Sequence, residues 1–389
     1  MSESEMLSRV DDLLMRGADA GPPNPGLNLA AIRGYVSVVE RLVSAGADVD
    51  DLAYDGFSAL QNVAWRSRIS GNMDNRRYAI AELLLSRGAS VDGGENGKRK
   101  PIRQAVASGD LGMVRILLRH GAAANVVNGW GETPLHEAVL RHPHDRSGLV
   151  KNEESEVMEL VRLLLGAGAN PNALDQSDKT PLHNALHLRA IPAVVKVLLE
   201  SGADPSLVTA KGRSAIDLAL ETADTTIISD VIAHFPRPFS VAGRSAKYIL
   251  VASKSDAADG LSLLLPHGLI VGTRYPNGKM SPLHTAARYG AAGVLELCLS
   301  AGSSPDVRDH LGRTPIYMAA CYNGGAAVET LLRFGADATI ADRDGKTPLV
   351  IAREKNKAYA VAALTDASLA SAPVRRSDVV DPPKTRSHE

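Results

Sequence analysis

A leucine-rich run closing on a glycine, most often Gly-Ala, recurs along this chain, with its glycine at Gly17, Gly46, Gly88, Gly121, Gly168, Gly202, Gly268, Gly302 and Gly335. The intervals are 29, 42, 33, 47, 34, 66, 34 and 33 residues. A period near 33 directs a chain of 389 residues into a stack whose core grows along one axis, each unit resting on its two neighbours. The interval of 66 is two periods and hides a degenerate copy, with Phe235 where its glycine would stand. The intervals of 42 and 47 mark insertions.

A second signal precedes most of these glycines by 19 residues. Its clearest forms are Thr133-Pro134-Leu135-His136, Thr180-Pro181-Leu182-His183 and Ser281-Pro282-Leu283-His284, with looser copies beginning at Ser58, Ser214, Thr314 and Thr347. The same offset picks out Leu27, Ile102 and Ile249 in copies that have lost Thr-Pro. Each element has a mechanical reason. Thr or Ser caps a helix, Pro at its first position has no donor to waste, and Leu opens the buried stripe. Small pairs such as Ala286-Ala287 and Ala319-Ala320 allow neighbouring helices to approach closely, and the closing glycine suits a left-handed helix end.

These residues resemble the ankyrin repeat, a helix-turn-helix unit with a β-turn finger, over roughly residues 6 to 366. The resemblance implies an all-α ankyrin-repeat solenoid of about ten stacked repeats including half-repeat caps. The first copy, Met6 to Asp19, contains only a second helix, and Pro22-Pro23-Asn24-Pro25 reads as a trimmed finger. Inter-helix insertions are expected near 66–78, carrying Arg66, Arg68, Arg76 and Arg77, and near 141–155. In the copy near 211–241, Phe235 and Pro236-Arg237-Pro238 replace the regular turn, so its finger should be rebuilt and the stack weakened there. A polar, proline-bearing segment over 367–389 is expected to be a disordered tail.

Composition narrows the function. Hydrophobic residues make up 44% of the chain but aromatics only 4%, which suits thin helices packed through Ala, Leu and Val. Lys and Arg total 43 against 44 Asp and Glu, so no global field favours nucleic acid or an anionic membrane. Two cysteines, Cys298 and Cys321, make neither a disulfide scaffold nor a Cys-rich zinc protein, and point to a cytoplasmic or nuclear home. The sequence shows neither a secretory signal nor an apolar run long enough to span a membrane.

The resemblance implies partner binding by the fingertips and the concave face of the inner helices. Carried onto this sequence, it selects Trp65, Trp130, Lys179, His187, Tyr275, Arg288 and Tyr289, with Tyr54, Lys98, Lys211, Leu311 and Arg343 in similar register. This mixture of aromatic and charged side chains suits a protein or peptide. The expectation is therefore a monomeric, non-enzymatic scaffold without a cofactor or metal. The alternative is an enzyme or metal-binding protein that uses the His-rich insertion, with His142, His144 and His187. His183 and His187 do lie four apart on one helix, a zinc-ligand spacing. His136 and His183, however, are the T-P-L-H histidines, which the resemblance commits to hydrogen bonds between neighbouring turns.

Overall fold

A computed structural model describes residues 2–18, 25–53, 56–65, 74–93, 100–140, 153–187, 191–237, 240–271, 280–322 and 324–370. Among these residues the chain forms twenty-one α-helices and no strand, with one isolated antiparallel bridge between Val208 and Ser214. No helix among them is long and apolar enough to cross a membrane. Two compact units are distinguished, one of residues 1–219 and 230–237, the other of 220–229 and 238–389.

In the first unit the inner helices Pro25–Ile32, Ala59–Ala64, Pro101–Ser108, Pro134–Leu140 and Pro181–His187 pack in succession. The outer helices Glu3–Met15, Val36–Ser44, Asp74–Ser86, Leu111–Arg119, Glu153–Gly166 and Pro192–Glu200 form a second row. In the second unit, the inner row is Ser245–Ser255, Pro282–Tyr289, Pro315–Tyr322 and Pro348–Glu354, and the outer row is Ala258–Ser262, Ala292–Ser300, Gly325–Arg333 and Ala358–Ala370. The small pairs are fully buried where inner helices meet, as at Ala286, Ala287, Ala319 and Ala320. The Leu-rich runs bury Leu84, Leu117, Leu164 and Leu198 between the rows.

Local chemistry sets the ends. Ser58, Ser281 and Thr347 cap their helices through the side-chain oxygen. The glycines closing the outer helices adopt φ of +80° to +96°, which L-residues reach only with strain. Three residues stand in that region where inner helices elsewhere end on glycine: Ala223, Asp256 and Asn356, with φ of 56°, 49° and 54°.

Several boundaries differ from the sequence reading. The first helix begins at Glu3, ahead of Met6, because Ser2 and Glu5 form a capping box. Pro25 is the first residue of a helix, where its missing N–H is no loss, rather than part of a finger. The last helix continues to Ala370, past the boundary at 366, and residues 371–389 lie outside the described residues. Residues 66–73 and 141–152, the bodies of the two insertions, also lie outside them. Arg77, grouped with the first insertion, is instead helical and 1% exposed. Its Nε and Nη2 donate to the Val63 carbonyl at 2.9 and 2.6 Å, and its Nη1 to Asp110 Oδ2 at 2.8 Å. It ties one repeat to the next from inside the core.

At the degenerate repeat, the helix Thr225–Ala233 ends without a left-handed residue at Phe235. A short 3-10 turn over Ala242–Arg244 precedes the next inner helix, Ser245–Ser255.

Candidate functional site

The fingers at Asp309 and Asp175 are fixed by their own side chains. Asp309 Oδ1 accepts the backbone N–H groups of Leu311 and Arg313 at 2.9 Å each, and Oδ2 holds the Arg313 guanidinium at 2.7 Å. Burial pushes the Asp309 carboxyl up, but the contacts from Arg313 and Leu311 outweigh it and leave it below its ordinary value. Asp175 accepts from Ser177 and Lys179 in the same way, at 2.7 and 2.9 Å.

Fingers are then tied to their neighbours. Gln176 N–H donates to the Trp130 carbonyl at 2.9 Å, Gln176 Nε2 to the Gly129 carbonyl at 2.9 Å, and Arg343 N–H to the Leu311 carbonyl at 3.0 Å. The T-P-L-H histidines complete the lattice. In His136 the Nδ1 atom accepts from Thr133 N–H at 3.2 Å, which leaves the proton on Nε2 to be donated to the Lys179 carbonyl at 3.0 Å. His284 repeats this with Ser281 at 3.1 Å and the Arg313 carbonyl at 2.8 Å. Burial holds the His136 imidazole below its ordinary pKa, so it stays neutral. His183 has the same Nδ1 arrangement with Thr180, but its Nε2 meets no acceptor in hydrogen-bond geometry.

On this scaffold Trp130 is 70% exposed at its fingertip, while its N–H is fixed by Asn128 Oδ1 at 2.8 Å. Trp65 is the C-cap of Ala59–Ala64 and is half-buried. Lys179, half-buried, and the exposed His187 and Lys211 line one cavity of about 220 Å³, with His183, Arg213 and Leu218 in its wall. In the second unit Arg288 and Tyr289 are exposed at the end of an inner helix. Arg288 lies over the Tyr322 ring at 4.9 Å, and Lys254 lies 6.0 Å from the Tyr289 ring. Leu311 and Arg343 are exposed on adjacent fingers. Tyr54, Lys98, Tyr275, His142 and His144 lie outside the described residues.

Sequence reasoning passed over Tyr322, Lys254 and Arg213, although each occupies a repeat position equivalent or adjacent to a selected one. Counting by the repeat would have found them. Among the described residues no group of three His, Cys, Asp or Glu side chains has the geometry to hold a metal. Cys298 is fully buried, and burial pushes its thiol up to about 12; Cys321 is partly exposed.

Paired helices in two rows, linked by hydrogen-bonded fingers, define a repeat protein in which equivalent positions recur from one repeat to the next. The family profiles agree: "Ankyrin repeats (3 copies)" matches residues 283–372, "Ankyrin repeats (many copies)" 84–138, and "Ankyrin repeat" 130–176 and 177–210. The chain belongs to the ankyrin-repeat family. Mouse cyclin-dependent kinase 4 inhibitor B is 30% identical over 136 residues, which is 33% of this chain and 97% of that protein. Mouse ankyrin repeat and SOCS box protein 16 is 35% identical over 109 residues, 28% of this chain, and the match spans only 24% of that protein. A solved ankyrin repeat domain from Acinetobacter baumannii aligns with 54% of this chain and 98% of its own length, at 24% identity and a TM-score of 0.45.

Proposed function

We propose that this chain is a non-catalytic interaction module that binds a protein partner through its fingertips and inner-helix face. The observation that carries this reading is Trp130. Its ring is 70% exposed while its backbone is fixed by Asn128 within its own finger and by Gln176 of the next. A large aromatic ring held out on a rigid backbone loses little entropy on binding, and Trp in such a place is a frequent energetic anchor, worth about 2 kcal/mol or more once covered. Arg288 and Tyr289, of residue types also enriched at interfaces, are exposed at the end of an inner helix. The mouse relative whose name describes a kinase inhibitor supports an interaction role, since its matched region spans nearly all of that protein.

The test places a photo-crosslinking residue at position 130 or 288, and in parallel at the outer-helix positions Glu159 and Glu296. Cell extract from the native source is then irradiated and the adducts are identified by mass spectrometry. The reading expects protein capture from the finger position and, separately, from the inner-helix position. Capture only from Glu159 and Glu296 would overturn it.

A further inference from the structure

We propose that the cavity shared by Lys179, His187 and Lys211 receives the carboxylate of an Asp or Glu side chain carried by an extended segment of the protein partner. This rests on the interaction reading above.

Charge is the first argument. The cavity wall contains Lys179, Lys211, Arg213, His183 and His187 but no carboxylate. Two acids near the cavity do not line it: Asp175 Oδ1 accepts backbone N–H groups of its own finger, and Asp217 Oδ2 accepts from Ser214 N–H at 2.7 Å. Another repeat shows what a neutralised position looks like. Lys346, which precedes Thr347 as Lys179 precedes Thr180, is paired with Glu354 eight residues on, at 2.9 and 2.7 Å. Eight residues after Lys179 stands His187. Among the described residues neither Lys179 nor Lys211 has a carboxylate within ion-pair distance.

His183 supplies an independent argument. Its side chain is buried, and Thr180 N–H donating to Nδ1 fixes the proton on Nε2. In the equivalent His136 and His284 that proton goes to a carbonyl of the next finger. At His183 the carbonyls of Arg213 and Leu207 are near enough to oppose the downward effect of burial on its pKa, yet neither reaches hydrogen-bond geometry with Nε2. A buried donor left this way is costly, and because Nε2 has no open surface an incoming oxygen satisfies it only by displacing the wall that Arg213 and Leu207 form over it.

Size and lining select a side chain over a larger ligand. A cavity of about 220 Å³ is smaller than the roughly 300–1,000 Å³ of small-molecule sites. Leu218 and Ala210 offer an apolar wall to the methylenes of Glu. One local cationic cluster on a chain of formal charge −1 lacks the extended stripe that a phosphate backbone requires.

The experiment uses the full chain and a display library of randomised dodecapeptides. Wild-type selections should share Asp or Glu at one fixed position. Changing that residue to Asn or Gln, or the protein by Lys211→Glu, should weaken binding about tenfold in fluorescence polarisation. The Lys179→Glu/Lys211→Glu protein should select Lys or Arg at that position instead. Lys211 is exposed in a turn, so its variant serves even if the double change disturbs folding. Selected peptides without a fixed acidic position, or acidic peptides indifferent to Lys211→Glu, would overturn the inference while leaving the interaction reading intact. If no peptide binds, the inference falls, and the crosslinking test above still decides the interaction reading. Acetate and inorganic phosphate are titrated against histidine-labelled protein as the remaining arm. Micromolar saturation of the His183 resonance by either ion, without peptide, would mark a small-anion site and overturn the assignment to a partner side chain.

Discussion

Replacing Arg77 by Met removes the guanidinium that joins Val63 to Asp110, and the structure allows the cost to be worked out. Both side chains of the pair are 1% exposed, so water does not reach in to replace what is lost. The Val63 carbonyl loses donors at 2.9 and 2.6 Å. Asp110 loses its 2.8 Å partner and keeps only Tyr78 Oη–H at 2.6 Å and Met113 N–H at 3.1 Å, both on Oδ1. Breaking a buried pair and stranding one charge costs about 3–5 kcal/mol. With a urea slope of about 2 kcal/mol per molar, the midpoint should fall by about 2 M. Trp65 and Trp130, the two tryptophans of the chain, both lie in the first compact unit, so tryptophan fluorescence reads that unit. Adding Asp110→Asn removes the stranded charge while keeping an acceptor for Met113 N–H. The double variant should therefore be more stable than the summed single effects by about 2 kcal/mol. A single-variant shift under about 0.5 M, or strict additivity in the double variant, would refute the claim that this ion pair holds two repeats together.

Ala223 is held at φ 56°, where a Cβ is strained, so Ala223→Gly should raise stability by about 0.5–1 kcal/mol; an unchanged or lower melting temperature would contradict this. Burial lowers the His136 pKa on folding, so the unfolded chain binds the proton more readily. That contribution to stability is present above the ordinary histidine pKa and is lost as pH falls through the folded value. Urea midpoints of wild-type protein should thus fall below about pH 6.5, and less steeply in His136→Gln. With its thiol pushed up to about 12 and no exposed surface, Cys298 should resist iodoacetamide in the native protein at pH 8 while Cys321 reacts, as peptide mapping would show.

The parts of the fold that the sequence disclosed are those decided by local backbone chemistry. Ser281-Pro282-Leu283-His284 carries its cap, its first-turn proline and its reciprocal side chain within four residues, and the structure places each in that role. Gly302 and Gly335 announce a left-handed helix end because other residues reach it only with strain. Arg77 was misread because an arginine beside Arg76 looks like solvent-facing charge. Only the approach of Val63 and Asp110 from neighbouring segments makes it a core residue. Ala223 was invisible for the opposite reason: alanine is a good helix former, and nothing in its identity signals the conformation that its neighbours impose. Among the candidate contacts, register alone placed Trp130 at an exposed fingertip and Arg288 and Tyr289 at the end of an inner helix. The shared cavity of Lys179, His187 and Lys211 was not legible, because it forms between one finger and the next.

The proposed anchoring of a partner on the exposed ring of Trp130 is tested by the affinity of Trp130→Ala for the protein captured from position 130. The ring is 70% exposed and its removal leaves the finger's backbone hydrogen bonds in place, so the melting temperature should not change. Losing an anchor of about 2 kcal/mol or more predicts binding about thirtyfold weaker by isothermal titration calorimetry. Affinity within about twofold of wild type in a fully folded variant would contradict the account.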